Sequence, residues 1–334
     1  MLRRTVSGRL RAVARRARRY VPVSRGRYDE LARRHHEAAL AANHMRTGFE
    51  MWVPPGHFYS PFPDLDEVER RASRLWDIDR DPTGIDLREQ EQLALFDTLA
   101  DILDDDLPFT AGPASGDRSK GTRYYFENPA YSWSDGMVLH ALLRHLRPRH
   151  IVEVGSGYSS AMTLDTTERW LDDGPDGPVE LTFIEPYAEL LRSLLRPGDE
   201  QRVTIHETAV QDLSFEVFGA LGEGDVLFVD STHVVKAGSD VNHLIFEVFP
   251  RLSPGVWIHV HDIFFPFEYP RDWVLEGRAW HEVYLLRALL TANDAFEIRW
   301  FQSLMWTRYR QLLEGRLPAM AKNPGGNIWL KKVG

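Results

Sequence analysis

The sequence predicts an α/β protein: an open, largely parallel sheet of seven strands with helices packed on it, preceded by a mainly helical extension. Two observations carry that expectation. The run Ile151-Val152-Glu153-Val154 leads directly into the turn Gly155-Ser156-Gly157, with a helix-like segment behind it, as a strand–turn–helix unit of an open sheet begins. Beyond it, strand-like apolar runs alternate with helix-like segments to the end of the chain, and parallel neighbours require such crossovers.

The elements follow in order. Residues 1–45 hold 12 Arg against 3 acidic residues, so the net charge of −9 divides into about +9 here and about −18 over the rest. Leu2, Val6, Leu10, Val13, Ala17 and Tyr20 recur every three or four residues, which makes 1–25 a basic amphipathic helix. Residues 1–21 of such a helix can make peripheral contact with an anionic membrane. A transit-peptide-like leader and a helix docked on its own fold or a partner fit the same pattern, whereas no continuous apolar core follows the arginines to make a secretory signal. The extension over 26–120 holds a proline-stiffened loop at 52–66, a helix near 87–103 and a linker-like stretch at 104–121. A boundary near 110–120 then opens the main domain, 121–334. Ser134 is the expected N-cap of a helix from Asp135 to about Leu146, which stops before Pro148. Strands are expected at 150–154, 180–184, 202–206, 225–230, 255–261, 295–301 and 327–333, with helices after the first two and at 239–250 and 280–292.

Composition narrows the function classes. Hydrophobic residues make up 43% and charged ones 27%, ordinary values for a globular protein. With no cysteine in the chain, disulfides and thiolate zinc sites are excluded, and a reducing cytoplasm is the expected compartment. No apolar run approaches the roughly 20 residues that cross a bilayer. The acidic body, without a basic stripe, argues against a nucleic-acid partner.

Ligands of open α/β sheets bind beyond the carboxyl ends of the strands, so chemistry is sought there. A dinucleotide turn reads G-x-G-x-x-G, but Ser160 stands at the third glycine position. Glu153, two residues before Gly155, suits a ligand bearing an ammonium group and would repel pyrophosphate. Glu185 closes the second strand, where a carboxylate can accept both hydroxyls of a ribose. The fourth strand runs out in Asp230-Ser231-Thr232-His233 and the fifth in His259-Val260-His261-Asp262. His233 is the candidate general base, because an imidazole with an ordinary pKa near 6.5 accepts a hydroxyl proton at neutral pH.

The first turn resembles motif I of the class I S-adenosylmethionine-dependent methyltransferases, whose E/D-x-G-x-G loop holds the methionine part of the cofactor. The seven strands match that Rossmann-like class I methyltransferase sheet, in which the last strand inserts antiparallel. From about 128 to 334 the chain is similar to the metal-dependent small-molecule O-methyltransferases of the catechol O-methyltransferase type. Gly157-Tyr158-Ser159-Ser160 matches their G-Y-S loop, and Ala209-Val210-Gln211-Asp212 resembles the A-S-Q-D segment that packs against adenine. This resemblance implies S-adenosylmethionine as cofactor, held by Glu153, Gly155, Ser156, Gly157, Ser159, Glu185, Val210, Gln211 and Asp230. It also implies Mg²⁺ or another divalent cation on Asp230, His261 and Asp262, with His233 and Asp230 as the catalytic pair and His233 at the position of the family's lysine base. His261 stands where the family has an acid, and imidazole suits softer ions better than Mg²⁺. A bacterial group of methyltransferases found among glycan and natural-product genes is also similar, through Phe58-Tyr59-Ser60-Pro61, His261-Asp262-Ile263-Phe264 and Trp280-His281-Glu282-Val283-Tyr284-Leu285-Leu286. That likeness implies a small-molecule or glycan acceptor with a hydroxyl to methylate.

Several alternatives stand beside these expectations. His261 and Asp262 could hydrogen-bond the acceptor hydroxyl without a metal, with His261 as base, and His259 is expected to be structural. Asn128-Pro129-Ala130-Tyr131 resembles the N-P-P-Y motif of adenine amino-methyltransferases but lies far from the fourth strand end where that motif belongs, so Tyr131 and Trp133 are expected to cover the cofactor entrance instead. The aromatic and proline-rich stretch 264–273 reads either as a lid over the acceptor or as an apolar loop packed on the N-terminal helices. A nicotinamide-dependent oxidoreductase and a non-catalytic methyltransferase-like scaffold are the rival functions, and the sequence is compatible with a homo-oligomer.

Overall fold

The computed structural model describes residues 51–105, 107–113, 121–175 and 177–334. The basic helix expected over 1–25 lies outside the described residues. The chain divides into two compact units, Met1–Pro63 and Asp64–Gly334. Of the first, residues 51–63 form the expected turn-rich loop: the Gly56 N–H donates to the Phe62 carbonyl at 3.1 Å, and Trp52 stacks on Tyr59 with centroids 5.4 Å apart.

The second unit begins with a short helix, Leu65–Arg70, capped by the Asp64 carboxylate, which accepts the Asp66 and Glu67 N–H groups. Helix α1 (Glu89–Asp105) follows, then α2 (Trp133–Leu146), α3 (Tyr158–Trp170), α4 (Glu282–Leu290) and α5 (Gln302–Arg316) as the main later helices. The expected boundary near 110–120 does not separate α1 from the sheet domain. Leu95, Phe96, Leu99 and Leu103 of α1 are buried in one cluster with α2 and the sheet, because an amphipathic stripe of that size needs a partner. The unit boundary at 63/64 is where the structure divides instead.

The strands are β1 His150–Val154, β2 Glu180–Ile184, β3 Val203–His206, β4 Val226–Val229, β5 Trp257–His261, β6 Phe296–Phe301 and β7 Asn327–Lys332. They form one sheet ordered β3-β2-β1-β4-β5-β7-β6. The first five are parallel, and β7 runs antiparallel between β5 and β6. Alternate residues feed opposite cores: Ile151, Phe228, Trp257 and Trp329 enter one cluster, and Val152, Leu227, Ile258 and Ile328 the other. Burial on both faces is why these strands read as nearly continuous apolar runs.

Helix α2 starts at Trp133 with Ser132 as N-cap, so Ser134 lies inside it and Asp135 in its first turn. Helix α5 has no counterpart among the sequence expectations. It leaves β6 without a break, and its arginines interrupt the apolar pattern around Leu304, Met305 and Leu313. Among the described residues, no helix is long and apolar enough to cross a membrane.

Candidate active site

Strand order decides which chain ends meet. Because β4 lies between β1 and β5, Asp230 comes out beside the β1 turn on one side and beside His261 and Asp262 on the other.

The β1 side is shaped by backbone. Gly155 has φ +83°, and a Cβ placed there would lie 1.7 Å from the Asp230 carbonyl oxygen, so only glycine lets the two chains pass. Behind the turn, the Ser159 and Ser160 hydroxyls donate to Glu153 Oε1 at 2.5 and 2.9 Å. The other carboxylate oxygen of Glu153 is buried without a partner. Burial pushes the Glu153 carboxyl up to about 8, against the two serine hydrogen bonds. At the end of β2, Glu185 accepts the Ser156 N–H at 3.2 Å and the Tyr187 N–H at 2.8 Å, which fixes its carboxylate. A cavity of about 330 Å³ lies in front, lined by Gly155, Glu185, Val210, Gln211 and Asp230, together with Tyr187 and Lys236. Of the expected cofactor residues, Glu153, Ser156, Gly157 and Ser159 do not line this cavity. Glu153, Ser156 and Ser159 hold the turn through the bonds above, and the Gly157 N–H donates to Ser160 Oγ at 3.0 Å.

A second cavity, about 680 Å³, opens on the other side of Asp230. His261 and Asp262 line it, with Asp135 from α2, Phe264, Phe265, Glu268, Pro270 and Trp273 from the loop after β5, and Trp76 and Trp306. Asp230 lines both cavities. The aromatic loop therefore forms a wall of this cavity, while its Phe267 and Tyr269 turn inward and are buried.

Between the cavities lies a compact set of charged groups. His233 Nε2 is 3.4 Å from Asp230 and 3.7 Å from Asp262, and its Nδ1 is 2.8 Å from Glu282. His261 Nδ1 is 3.3 Å from Asp230 and 3.8 Å from Asp262, and its Nε2 is 3.9 Å from Asp135. His233 (φ 61°) and Asp262 (φ 54°) both hold left-handed backbone, a conformation found more often at functional sites than elsewhere. Burial alone would lower both imidazoles. The Asp230 and Glu282 carboxylates nevertheless raise His233 to about 10, and Asp230, Asp262 and Asp135 raise His261 well above its ordinary value. Burial would likewise raise Asp230, but the His261 and His233 charges hold it far below the usual carboxylate range. Asp262 is pushed up by burial to about 6, with the two histidines opposing.

The structure thus gathers Asp230, His233, His261 and Asp262 in one place. Each imidazole faces carboxylates on both of its nitrogens, and among the described residues no group of three or more His, Asp or Glu side chains is placed to hold a metal ion. The expected donor set Asp230, His261 and Asp262 is not arranged around a common point that a divalent cation could take, since His261 Nδ1 itself faces both carboxylates at 3.3 and 3.8 Å.

Two residues of the set were missed. Glu282 carries no mark in the sequence beyond its place beside His281 at the start of a helix. Asp135, expected only as the start of a helix, lies in the first turn of α2 and accepts from Gly326 N–H at 3.1 Å and Asn327 Nδ2 at 2.7 Å, joining α2 to the start of β7. Tyr131 and Trp133 do not cover the cofactor cavity. Tyr131 is buried against Phe228, His259 and His261, and Trp133 stacks on Phe126 at 4.7 Å. Asn128 supports that turn, taking the Ala130 and Tyr131 N–H groups and donating to the Tyr125 and Tyr131 carbonyls. His259 is fully buried and stacked on Phe228 at 4.0 Å, a packing role.

Comparison with known proteins follows this geometry. Residues 152–263 match the family described as a methyltransferase domain (Methyltransf_24). An uncharacterised protein of Archaeoglobus fulgidus is 32% identical over 174 residues, covering 51% of this chain and 74% of that protein. Similar solved structures include the O-methyltransferase TomG of Streptomyces achromogenes, in complex with S-adenosylmethionine, at 20% identity and TM-score 0.38, covering 62% of this chain and 84% of that one. The S-adenosylhomocysteine-bound methyltransferase PaMTH1 of Podospora anserina shows 15% identity and TM-score 0.39, covering 86% and 100%. The chain carries a methyltransferase domain over residues 152–263, set in a sheet with the class I methyltransferase strand order and a cavity at its first turn.

Proposed function

We propose that the protein transfers the methyl group of S-adenosylmethionine to a hydroxyl oxygen of a sugar, glycolipid or secondary metabolite. The observation that carries this reading is that Asp230 lines both cavities: a sulfonium methyl on one side and a hydroxyl on the other would meet beside it. The cofactor supplies the electrophilic methyl group. The acceptor oxygen attacks the methyl carbon in line, the O–C bond forms as the C–S bond breaks, and the positive sulfonium becomes a neutral thioether. Holding the two reactants in register supplies most of the rate.

The hydroxyl proton passes to the Asp262 carboxylate, which lines the acceptor cavity and, with a pKa raised to about 6, is ionised at neutral pH yet basic enough to accept it. His233 is then not the base. Held at about 10 between Asp230 and Glu282, its ring is a cation at neutral pH with no free lone pair, and its positive charge steadies Asp230 at 3.4 Å and Asp262 at 3.7 Å. No step runs through a divalent ion. For residues 1–21, the basic amphipathic pattern supports reversible contact with an anionic membrane surface.

The test is methyl transfer from labelled S-adenosylmethionine to a panel of sugar, glycolipid and phenolic acceptors, with and without EDTA. O-methyl products at an unchanged rate in chelator are expected. An added set of amine acceptors controls for the atom methylated: products on nitrogen with none on oxygen would overturn the O-methyl reading. Activity lost to EDTA and restored by Mg²⁺ or Mn²⁺ would return Asp230, His261 and Asp262 to a ligand role.

A further inference from the structure

We propose that Arg278 binds an anionic group of the acceptor, so that the acceptor is a ring compound carrying a carboxylate or phosphate away from the hydroxyl that is methylated. This rests on the acceptor-cavity reading above. Arg278 lines the same 680 Å³ cavity as Asp230, His261 and Asp262. Its guanidinium carbon lies 4.2 Å from the Trp273 ring centroid and 5.4 Å from that of Trp280, and those two rings meet edge to face at 5.4 Å. Its own backbone N–H donates to the Trp273 carbonyl at 3.1 Å. Stacking on aromatic faces fixes a guanidinium while leaving its in-plane N–H donors free for a planar or tetrahedral anion.

The other charges of the lining are engaged. Asp230 and Asp262 sit against His233 and His261, Asp135 is bonded to Gly326 and Asn327, and Glu268 accepts the Tyr284 hydroxyl at 2.8 Å. Among the described residues Arg278 pairs with one carboxylate, Glu276 at 3.2 Å, with side chains 38% and 59% exposed. A pair so open to solvent is weak and readily exchanged for a ligand. Trp76, Trp273 and Trp306 add flat apolar surfaces to the same cavity, which suit the face of a sugar or aromatic ring. A flat wall, a cation held only by a solvent-open pair with Glu276 and a methyl-transfer end together describe an anionic ring acceptor.

Calorimetry on the S-adenosylhomocysteine-loaded protein tests this with three probes: a methyl glucuronoside, glucose 6-phosphate and the uncharged methyl glucoside. At least one anion is expected to bind ten times more tightly than the neutral glycoside, and which one shows whether carboxylate or phosphate is the natural group. Arg278→Ala should erase the preference, and Arg278→Lys should retain part of it as a point charge. Equal affinities, no binding by either anion, or a preference that survives Arg278→Ala would each overturn the proposal. Failure of S-adenosylhomocysteine itself to bind would instead sink the cofactor reading, and the anion result would still be read on the unloaded protein.

Discussion

The cofactor side and the acceptor side of this site share Asp230 but are held together by different means. On the cofactor side the chain's own backbone makes the shape: the Gly155 turn passes against the Asp230 carbonyl, and the Ser156 and Tyr187 N–H groups clamp Glu185. On the acceptor side the shape comes from side chains of widely separated segments, with Trp76, Asp135, Asp262, Trp273 and Trp306 facing one cavity. A backbone-built half tolerates almost no change at its crossing points. A side-chain-built half can be altered residue by residue, so substrate choice can drift while the cofactor stays the same.

The largest effect should come from the backbone crossing. Gly155→Val adds a branched Cβ where the Asp230 oxygen would be only 1.7 Å away, and it should abolish S-adenosylhomocysteine binding in calorimetry. Trp273→Ala, on the other side of the site, should leave that affinity unchanged. A Gly155→Val protein that binds normally, or a Trp273→Ala protein that does not, would erase the distinction between the halves.

Next in size is the proton acceptor. Asp262→Asn should lower kcat by about 10²–10⁴ with cofactor affinity intact. The sign of the pH dependence follows from the carboxylate being the active form. The wild-type rate falls as pH drops through about 6, where Asp262 gains its proton, and the variant loses that limb. His233→Gln separates support from base. Without the His233 cation, which opposes protonation of Asp262, the acid limb should move to higher pH but persist. A base role for His233 predicts instead that the limb disappears with the side chain.

The same contrast explains what could be read from the sequence. Gly155, Glu185, Val210 and Gln211 were legible because each lies in or just after a strand end, and a short contiguous motif encodes a backbone shape. Asp230, His233, His261 and Asp262 were also found, since β4 and β5 are neighbours and their ends necessarily meet. Their charge states were not legible. His233 reads as an ordinary imidazole until Glu282, 49 residues on, is seen 2.8 Å from its ring. Asp135 escaped for a related reason: its partners Gly326 and Asn327, at the start of β7, arrive 191 and 192 residues later, and nothing in the chain marks that meeting. Helix α5 was missed because its buried positions carry no regular amphipathic stripe.

The smallest effect concerns Glu153, a cofactor-side carboxyl whose ionisation is poised near neutrality. Alone, its carboxyl is held up at about 8 by burial, so at pH 7 most molecules carry it protonated. If the cofactor's ammonium approaches the turn that Glu153 supports, the cation favours the ionised form and lowers that value. Binding then releases a proton, and affinity rises with pH until about 8, by no more than about tenfold per pH unit. Above that the free cofactor's own amino group, with an ordinary pKa near 8, begins to lose its charge and the gain stops. S-adenosylmethionine and S-adenosylhomocysteine share the ammonium and differ in the sulfonium, so parallel slopes between pH 6 and 8 assign the effect to the ammonium, and a slope seen with S-adenosylmethionine alone assigns it to sulfur. Glu153→Gln should flatten both. A flat wild-type profile would mean that Glu153 only ties Ser159 and Ser160 into the turn, leaving the cofactor side held by backbone alone.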